Sequence, residues 1–235
     1  MKKVFIGYTS TQDILFRVSK NSIERKSIGV KCFPIIQSSL RELGVYSRDH
    51  DKLGTTEFSI TRFLTPWLAG YEGWVLFCDN DTLALEDINA LFDLADDKYA
   101  LMCVQHDHQP TNKIKLNNQA QTIYPRKNWS SVVLWNCGHA KNKRITPDYV
   151  NEASPMHLHR FLWLDDDDIG NLSHEWNWLV DWYSSSKDGK PKLLHYTDGG
   201  PYFKDHQDCD YSKEWLDEYE LLTGDEFCYE DIIDL

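Results

Sequence analysis

No stretch of about 20 consecutive apolar residues occurs in the 235-residue sequence, so no segment reads as a membrane-spanning helix. Cysteine is sparse and unpaired. Cys32, Cys78, Cys103, Cys137, Cys209 and Cys228 are scattered singly, the first four inside apolar runs, which excludes a disulfide framework and reads as reduced, buried thiols. Basic residues are too few for a phosphate-backbone binder: 25 Lys and Arg stand against 37 Asp and Glu, for a net charge of −12, and nucleic acid is excluded as a main partner. There is no internal repeat, low-complexity segment or Gly/Ser linker. Met1 to Tyr8 holds two lysines and an apolar run too short for a signal peptide, so the expectation is a cytoplasmic protein. What remains is an ordinary globular composition, 41% hydrophobic and 26% charged, at a length that suits one domain with a sizeable core.

Strand-like and helix-like segments alternate along the chain. Lys3 to Tyr8 is a β-rich apolar run, followed by Ser10-x-x-Asp13, which resembles a capping box, and by amphipathic spacing at Ile14, Leu15, Val18 and Ser22. Val30 to Ile36 reads as an extended run that Pro34 assigns to an edge position or a bulge rather than the sheet centre. Phe58 to Leu68 has helical spacing, and Trp74 to Cys78 is the continuous apolar run of a parallel strand buried on both faces. Tyr99 to Val104, Ser131 to Cys137 and Lys192 to Tyr196 read as further strands, with helical segments at Leu85 to Phe92, Pro147 to Ala153 and Leu158 to Leu164. Trp176 to Tyr183 fits neither period, and the polar stretch Gln105 to Trp129 reads as a long functional loop. The alternation predicts an α/β fold: a single domain over residues 1–212 with a mostly parallel central sheet, flanking helices, and ligands at the carboxyl ends of its strands. Residues 213–235 carry one lysine against nine acids, and Trp215, Tyr219 and Leu222 at helical spacing predict an acidic C-terminal helix or tail docked by its aromatic face.

The strongest local chemistry is Asp79-Asn80-Asp81 at the end of a buried strand. Two carboxylates one residue apart can hold one hard cation, Mn²⁺ or Mg²⁺, with coordination positions left for a diphosphate; a solvated turn is the alternative. His195, ending a late strand, is a candidate third ligand or simply a hydrogen-bonded histidine. Gly199 and Gly200 would let backbone N–H groups approach phosphate, or merely make a turn. Asp165 to Asp168 reads as a sugar contact or as a solvated helix start. Trp176, Trp178 and Trp182 are core residues or platforms for an acceptor sugar.

Asp79-Asn80-Asp81 after its apolar strand resembles the D-x-D motif of GT-A-type nucleotide-sugar glycosyltransferases, and further segments resemble, in order, the family 8 (glycogenin-like) retaining branch or a bacterial relative of it. The opening strand ending at Gly7 and Tyr8 resembles the one that lies against the nucleotide base. Ser59 and Arg62 fall where that family has a serine or tyrosine and an arginine. Ser131 to Asn136 resembles the strand leading to an N-[ST]-G segment lining the sugar pocket, here Asn136-Cys137-Gly138. Asp165 to Ile169 resembles a D-Q-D-x-L segment, and His195 to Tyr202 an H-x-x-G-x-x-K-P motif whose histidine binds metal. The last lacks its lysine, having Gly200-Pro201, with Arg126, Lys127 or Lys204 as replacements for the diphosphate contact; the expected glutamine is Asp166.

The resemblance implies a GT-A (Rossmann-like) fold and a metal-dependent hexosyltransferase that uses a nucleotide diphosphate sugar, a UDP-sugar, as donor and a saccharide or other hydroxyl as acceptor, with retention. It implies Asp79, Asp81 and His195 as metal ligands, Asp165 and Asp166 as catalytic acids positioning the sugar, and Gly7, Tyr8, Arg62, Asn80, Lys127, Asn136, Gly199 and Gly200 as donor contacts. A sugar-nucleotide or carbohydrate binding protein without turnover, and a metal-dependent phosphohydrolase using the same acidic pair, remain alternatives at this point.

Overall fold

A computed structural model describes residues 1–49, 56–106, 126 and 128–228. The strands described are β1 (Lys2–Gly7), β2 (Val30–Ile35), β3 (Trp74–Cys78), β4 (Thr82–Ala84), β5 (Leu101–Cys103), β6 (Val132–Asn136), β7 (Ile169–Asn171), β8 (Trp178–Leu179) and β9 (Leu193–His195). Six of them form a sheet in the order β2-β1-β3-β6-β5-β7, in which β6 alone runs against the others. The remaining three form a small sheet, β4-β9-β8.

The apolar runs are continuous because the central sheet is covered on both faces. Phe5, Val75, Phe77, Leu101, Cys103, Val133 and Trp135 face one core, and the alternate residues Val4, Ile6, Leu76, Cys78, Met102, Val132 and Leu134 face the other. Pro34 sits in β2 at the sheet edge, where its missing N–H costs no ladder bond. The longest helix, α1 (Asp13–Lys26), buries Leu15, Phe16, Val18 and Ile23. Its entrance corrects the expected capping box: Ser10 opens a 3-10 turn and bonds Glu57 instead of capping the helix.

Short helices complete the layers: α2 (Gln37–Glu42), α3 (Thr65–Leu68), α4 (Asn89–Phe92), α5 (Pro147–Glu152), α6 (Pro155–His159) and α7 (Ser185–Asp188). The helix expected over Phe58 to Leu68 is a turn, then 3-10 residues Thr61–Leu64, then α3, which Pro66 starts in its first turn. The acidic C-terminal segment forms α8 (Ser212–Thr223), which packs on α1. Trp215 is fully buried against Tyr202 and stacked on Tyr219, and buried Glu218 accepts from Arg25 Nη2 at 2.6 Å and Asn21 Nδ2 at 2.7 Å.

Candidate metal and donor site

β3 delivers Asp79-Asn80-Asp81 from the carboxyl-terminal edge of the large sheet into β4 of the small one. The segment is pinned from both sides. Asp79 N–H donates to Ser131 O at 2.9 Å, Tyr196 N–H donates to Asp81 O at 3.0 Å, and Thr82 Oγ1 donates back to Asp79 O at 2.9 Å. Asn80 and Asp81 form a turn between the two strands, in which Asp79 and Asp81 come together beside His195 while Asn80 is buried and donates to Gln12 Oε1 at 3.3 Å.

β9 then pairs antiparallel with β4 in a register that sets His195 opposite Thr82. Among the described residues, Asp79, Asp81 and His195 are the one group of three side chains whose ligand atoms all lie within 4.8 Å of one another. His195 Nε2 stands 3.5 Å from Asp81 Oδ1, and that buried oxygen accepts no hydrogen bond. A buried carboxylate oxygen without a donor is costly, and a cation removes the cost. Two hard anionic oxygens and one imidazole fit Mn²⁺ or Mg²⁺.

The electrostatics carry the same imprint. Burial raises the Asp79 carboxyl above its ordinary range, against the pull of the Arg62 guanidinium. Burial disfavours the His195 cation, yet the adjacent Asp81 and Asp79 carboxylates outweigh it and raise the imidazole pKa. Arg62 is buried in its 3-10 turn, 5.2 Å from the ring centroids of Phe58 and Phe77. Its Nη1 donates to Asp79 Oδ1 at 2.7 Å and to Ser130 O at 3.0 Å, and its Nε donates to Ser59 O at 3.1 Å. Ser59 thus contributes its carbonyl.

β1 runs beside β3 with Ile6 opposite Cys78, so Gly7 and Tyr8 emerge next to Asp79 and Asn80. Gly7 has no room for a side chain, since a Cβ there would stand 2.3 Å from the Phe58 ring. Tyr8 packs edge-on against Phe16 and donates to Asp13 at 3.2 Å. Gly7, Tyr8, Arg62, Asn80, Asp79, Asp81 and His195 are therefore brought to one edge.

Asn136 is not. Because β6 is antiparallel, Asn136 pairs with Trp74 at the opposite end of β3, about 16 Å from Asp79 along the strand, and its side chain donates to Tyr99 O. The end of β6 at the site is its start, where Asn128, Ser130 and Ser131 lie.

Asp165 and Asp166 are placed by the neighbouring register. Ile169 pairs with Leu101, which is level with Val75 through Trp135, so the turn Asp165–Asp168 lies at the amino-terminal edge of the sheet, on the order of 15 Å from Asp79 along the strands. It is a 3-10 turn in which Asp168 accepts from Asp165 N–H at 2.8 Å. Lys141 bonds Asp165 and Asp168, and Arg126 bonds Asp166 at the mouth of a cavity of about 340 Å³ that Gln105, Trp129 and Ile169 also line.

Gly199 and Gly200 follow His195 but serve packing. Gly199 has φ +121° with the His206 ring against it, and its N–H is spent on Tyr196 O at 2.9 Å; Gly200 lies under Tyr202. Trp176 and Trp178 are core residues, and Trp182 is half-buried with its Nε1 donating to Asp198. Lys127 and most of the central loop, residues 107–125, lie outside the described residues.

Asn177, Ser131 and His159 surround the site and were not singled out from sequence. His159 Nδ1 shares a hydrogen bond with Ser130 Oγ at 2.9 Å, and Asn177 bonds His195. The available signal for Asn177 was a polar residue between Trp176 and Trp178 in a segment of no clear period.

No protein-family model matches the sequence. Over 222 residues the chain is 48% identical to Protein CDI of Arabidopsis thaliana, an overlap of 93% of this chain and 86% of that one. The chain belongs to the family of this plant protein. Among solved structures, the apo form of the glycosyltransferase GlyE from Streptococcus pneumoniae TIGR4 matches 99% of the chain with a TM-score of 0.62 at 14% identity; the chain spans 62% of that protein's length. The galactosyltransferase LgtC, solved with donor and acceptor sugar analogues, matches 94% of this chain and 96% of its own with a TM-score of 0.58 at 12% identity. The fold of this CDI-family chain is the GT-A-type fold of glycosyltransferases.

Proposed function

We propose that the chain is a metal-dependent glycosyltransferase that moves a hexose from a nucleotide diphosphate sugar, a UDP-sugar, to a saccharide or other hydroxyl acceptor. The observation that carries this reading is the Asp79, Asp81 and His195 cluster, with its donorless buried carboxylate oxygen, at the carboxyl-terminal edge of a glycosyltransferase-type sheet. Fold alone would not support it, because one fold hosts many activities.

Asp79, Asp81 and His195 would hold Mn²⁺ or Mg²⁺, which when bound supplies Lewis-acid neutralisation of the leaving diphosphate. Arg62 holds Asp79 in place and adds positive charge to the same pocket. Tyr8, at the end of β1 beside Asn80, offers its ring to the nucleotide base. The start of β6, Asn128 to Ser131, takes the sugar-side position that Asn136 vacates. Arg126 is engaged by Asp166 and Arg160 O, so Lys127 and Lys204 remain as the diphosphate contacts replacing the absent lysine. Retention follows the family 8 resemblance. In that chemistry no enzymic base is needed, which suits a site edge where Asp79 and Asp81 are committed to the metal.

A panel of nucleotide diphosphate sugars, with and without Mn²⁺, tests the proposal on the full chain by thermal shift and by donor hydrolysis. A donor at ~100 times its dissociation constant adds about 2.7 kcal/mol, and a UDP-sugar in Mn²⁺ should give that shift together with slow release of free sugar and UDP. Release of inorganic phosphate instead would make the protein a phosphohydrolase. Absence of any metal-dependent shift across the panel would remove the donor assignment.

A further inference from the structure

His195 presents two nitrogens, and only one of them faces the carboxylates. Nε2 stands 3.5 Å from Asp81 Oδ1, while Nδ1 lies 2.9 Å from Oδ1 of Asn177. An amide oxygen is only an acceptor, so Nδ1 must be the protonated nitrogen whenever the ring is neutral, leaving a lone pair on Nε2. The orientation of the amide is itself decided by its other end. Asn177 Nδ2 donates to Ser131 Oγ at 3.0 Å and to Asn128 O at 3.4 Å, and reversing the amide would set an acceptor against that carbonyl. Both Asn177 and His195 are buried, so water cannot substitute for either bond. Asn177 directly precedes β8, which pairs in parallel with β9 so that Leu179 is opposite His195, and the backbone therefore fixes the amide beside the ring.

We propose that Asn177 is a positioning residue: it holds His195 as the Nδ1–H tautomer, with Nε2 aimed at the metal position, and ties that ligand to the Asn128–Ser131 segment from which β6 starts. The inference rests on the metal reading above and extends it, since partners of this kind orient a ligating histidine and typically govern metal affinity by 10–100-fold.

The test uses the full chain and two variants, Asn177→Leu, which cannot accept, and Asn177→Asp, which can. The first readout needs no metal: ¹⁵N shifts of the His195 ring, assigned with His195→Gln, at a pH where the imidazole is neutral. The wild type should show the Nδ1–H tautomer and Asn177→Leu should lose it. The second readout is Mn²⁺ affinity by calorimetry, expected to fall about 10- to 100-fold in Asn177→Leu and to fall less in Asn177→Asp, which still accepts from Nδ1–H but loses the bonds to Ser131 Oγ and Asn128 O.

An Nε2–H tautomer in the wild type overturns the inference, and this holds even if Asn177→Leu fails to fold. Unchanged tautomer and Mn²⁺ affinity in a folded Asn177→Leu variant overturn it as well. Should the wild type show the Nδ1–H tautomer but bind no Mn²⁺, the metal reading falls instead.

Discussion

Asp81 and Arg62 illustrate how differently two charged residues of one site respond to substitution. Asp81→Asn removes a carboxylate that repels Asp79 and attracts the His195 imidazole 3.5 Å away, two opposed effects in the metal-free fold. The unfolding midpoint of this variant without metal should stay close to that of the wild type, while Mn²⁺-dependent donor binding should be lost; calorimetry with and without Mn²⁺ measures both. Arg62 is the reverse case, since one planar guanidinium serves Asp79, Ser59 O and Ser130 O together. An ammonium cannot span three such partners, and Arg62→Lys should cost about 2 kcal/mol, roughly two net hydrogen bonds, read as a lower unfolding midpoint. Asp165 and Asp166 are exposed, their side chains paired with Lys141 and Arg126. Exposed pairs of this kind contribute at most about 1 kcal/mol. Asp165→Ala and Asp166→Ala should therefore keep donor hydrolysis within about twofold of wild type, and a hundredfold loss in either would return the turn to the site.

At the scale of elements, the site is a seam between two sheets. β3 and β4 are joined only by Asp79-Asn80-Asp81, and β9 closes the small sheet against β4 so that Asp79, Asp81 and His195 converge. The small sheet in turn depends on the two longest helices. Its core of Leu83, Trp178, Leu194, Tyr196 and Tyr202 is completed by Leu15 and Val18 of α1 and by Trp215 of α8. Removing a buried tryptophan costs about 3–5 kcal/mol, so Trp215→Ala should lower the unfolding midpoint by about 10 °C, and Mn²⁺ affinity should fall with it because β9 carries His195. A Trp215→Ala variant that melts like wild type would mean that α8 is not integral to this core.

For the whole molecule, the excess of acid sets the direction of pH sensitivity. Burial opposes ionisation of Glu24, but the Cys32 N–H and the Lys20 and Lys31 ammonium groups hold its pKa below the ordinary value. Asp168 is likewise held low despite its burial by Lys141 and the Asp165 N–H, and Glu175 by Lys192. For each of these groups the unfolded chain binds a proton more readily than the folded one. Their contribution to stability is present in full above the ordinary carboxylate range and is lost as pH falls through the lowered folded values. Asp79 and His195 run the other way, because their folded pKa values are raised and the folded chain takes up protons first, so the unfolding midpoint should rise slightly from pH 7 to 5 and drop below about pH 4, as a thermal series across that range would record.

The sequence by itself determined the elements whose signal is local. Continuous apolar runs announced β3 and its neighbours, Pro34 kept β2 from the sheet centre, two carboxylates closing a buried strand marked the candidate metal cluster, and the Trp215 and Tyr219 spacing predicted α8. What only the tertiary structure decided was direction and pairing. An apolar run looks the same whether its strand runs parallel or antiparallel, so nothing local revealed that β6 is reversed and carries Asn136 away from the site while bringing Ser131 to it. The same strand register starts β7 just after Asp165 and Asp166, and Asp166 meets Arg126 across 40 residues, a contact that no local pattern records. Asn177 was hidden for a related reason: its role exists only in a hydrogen bond to His195, 18 residues away, and short-range periodicity carries no record of partners that meet across strands.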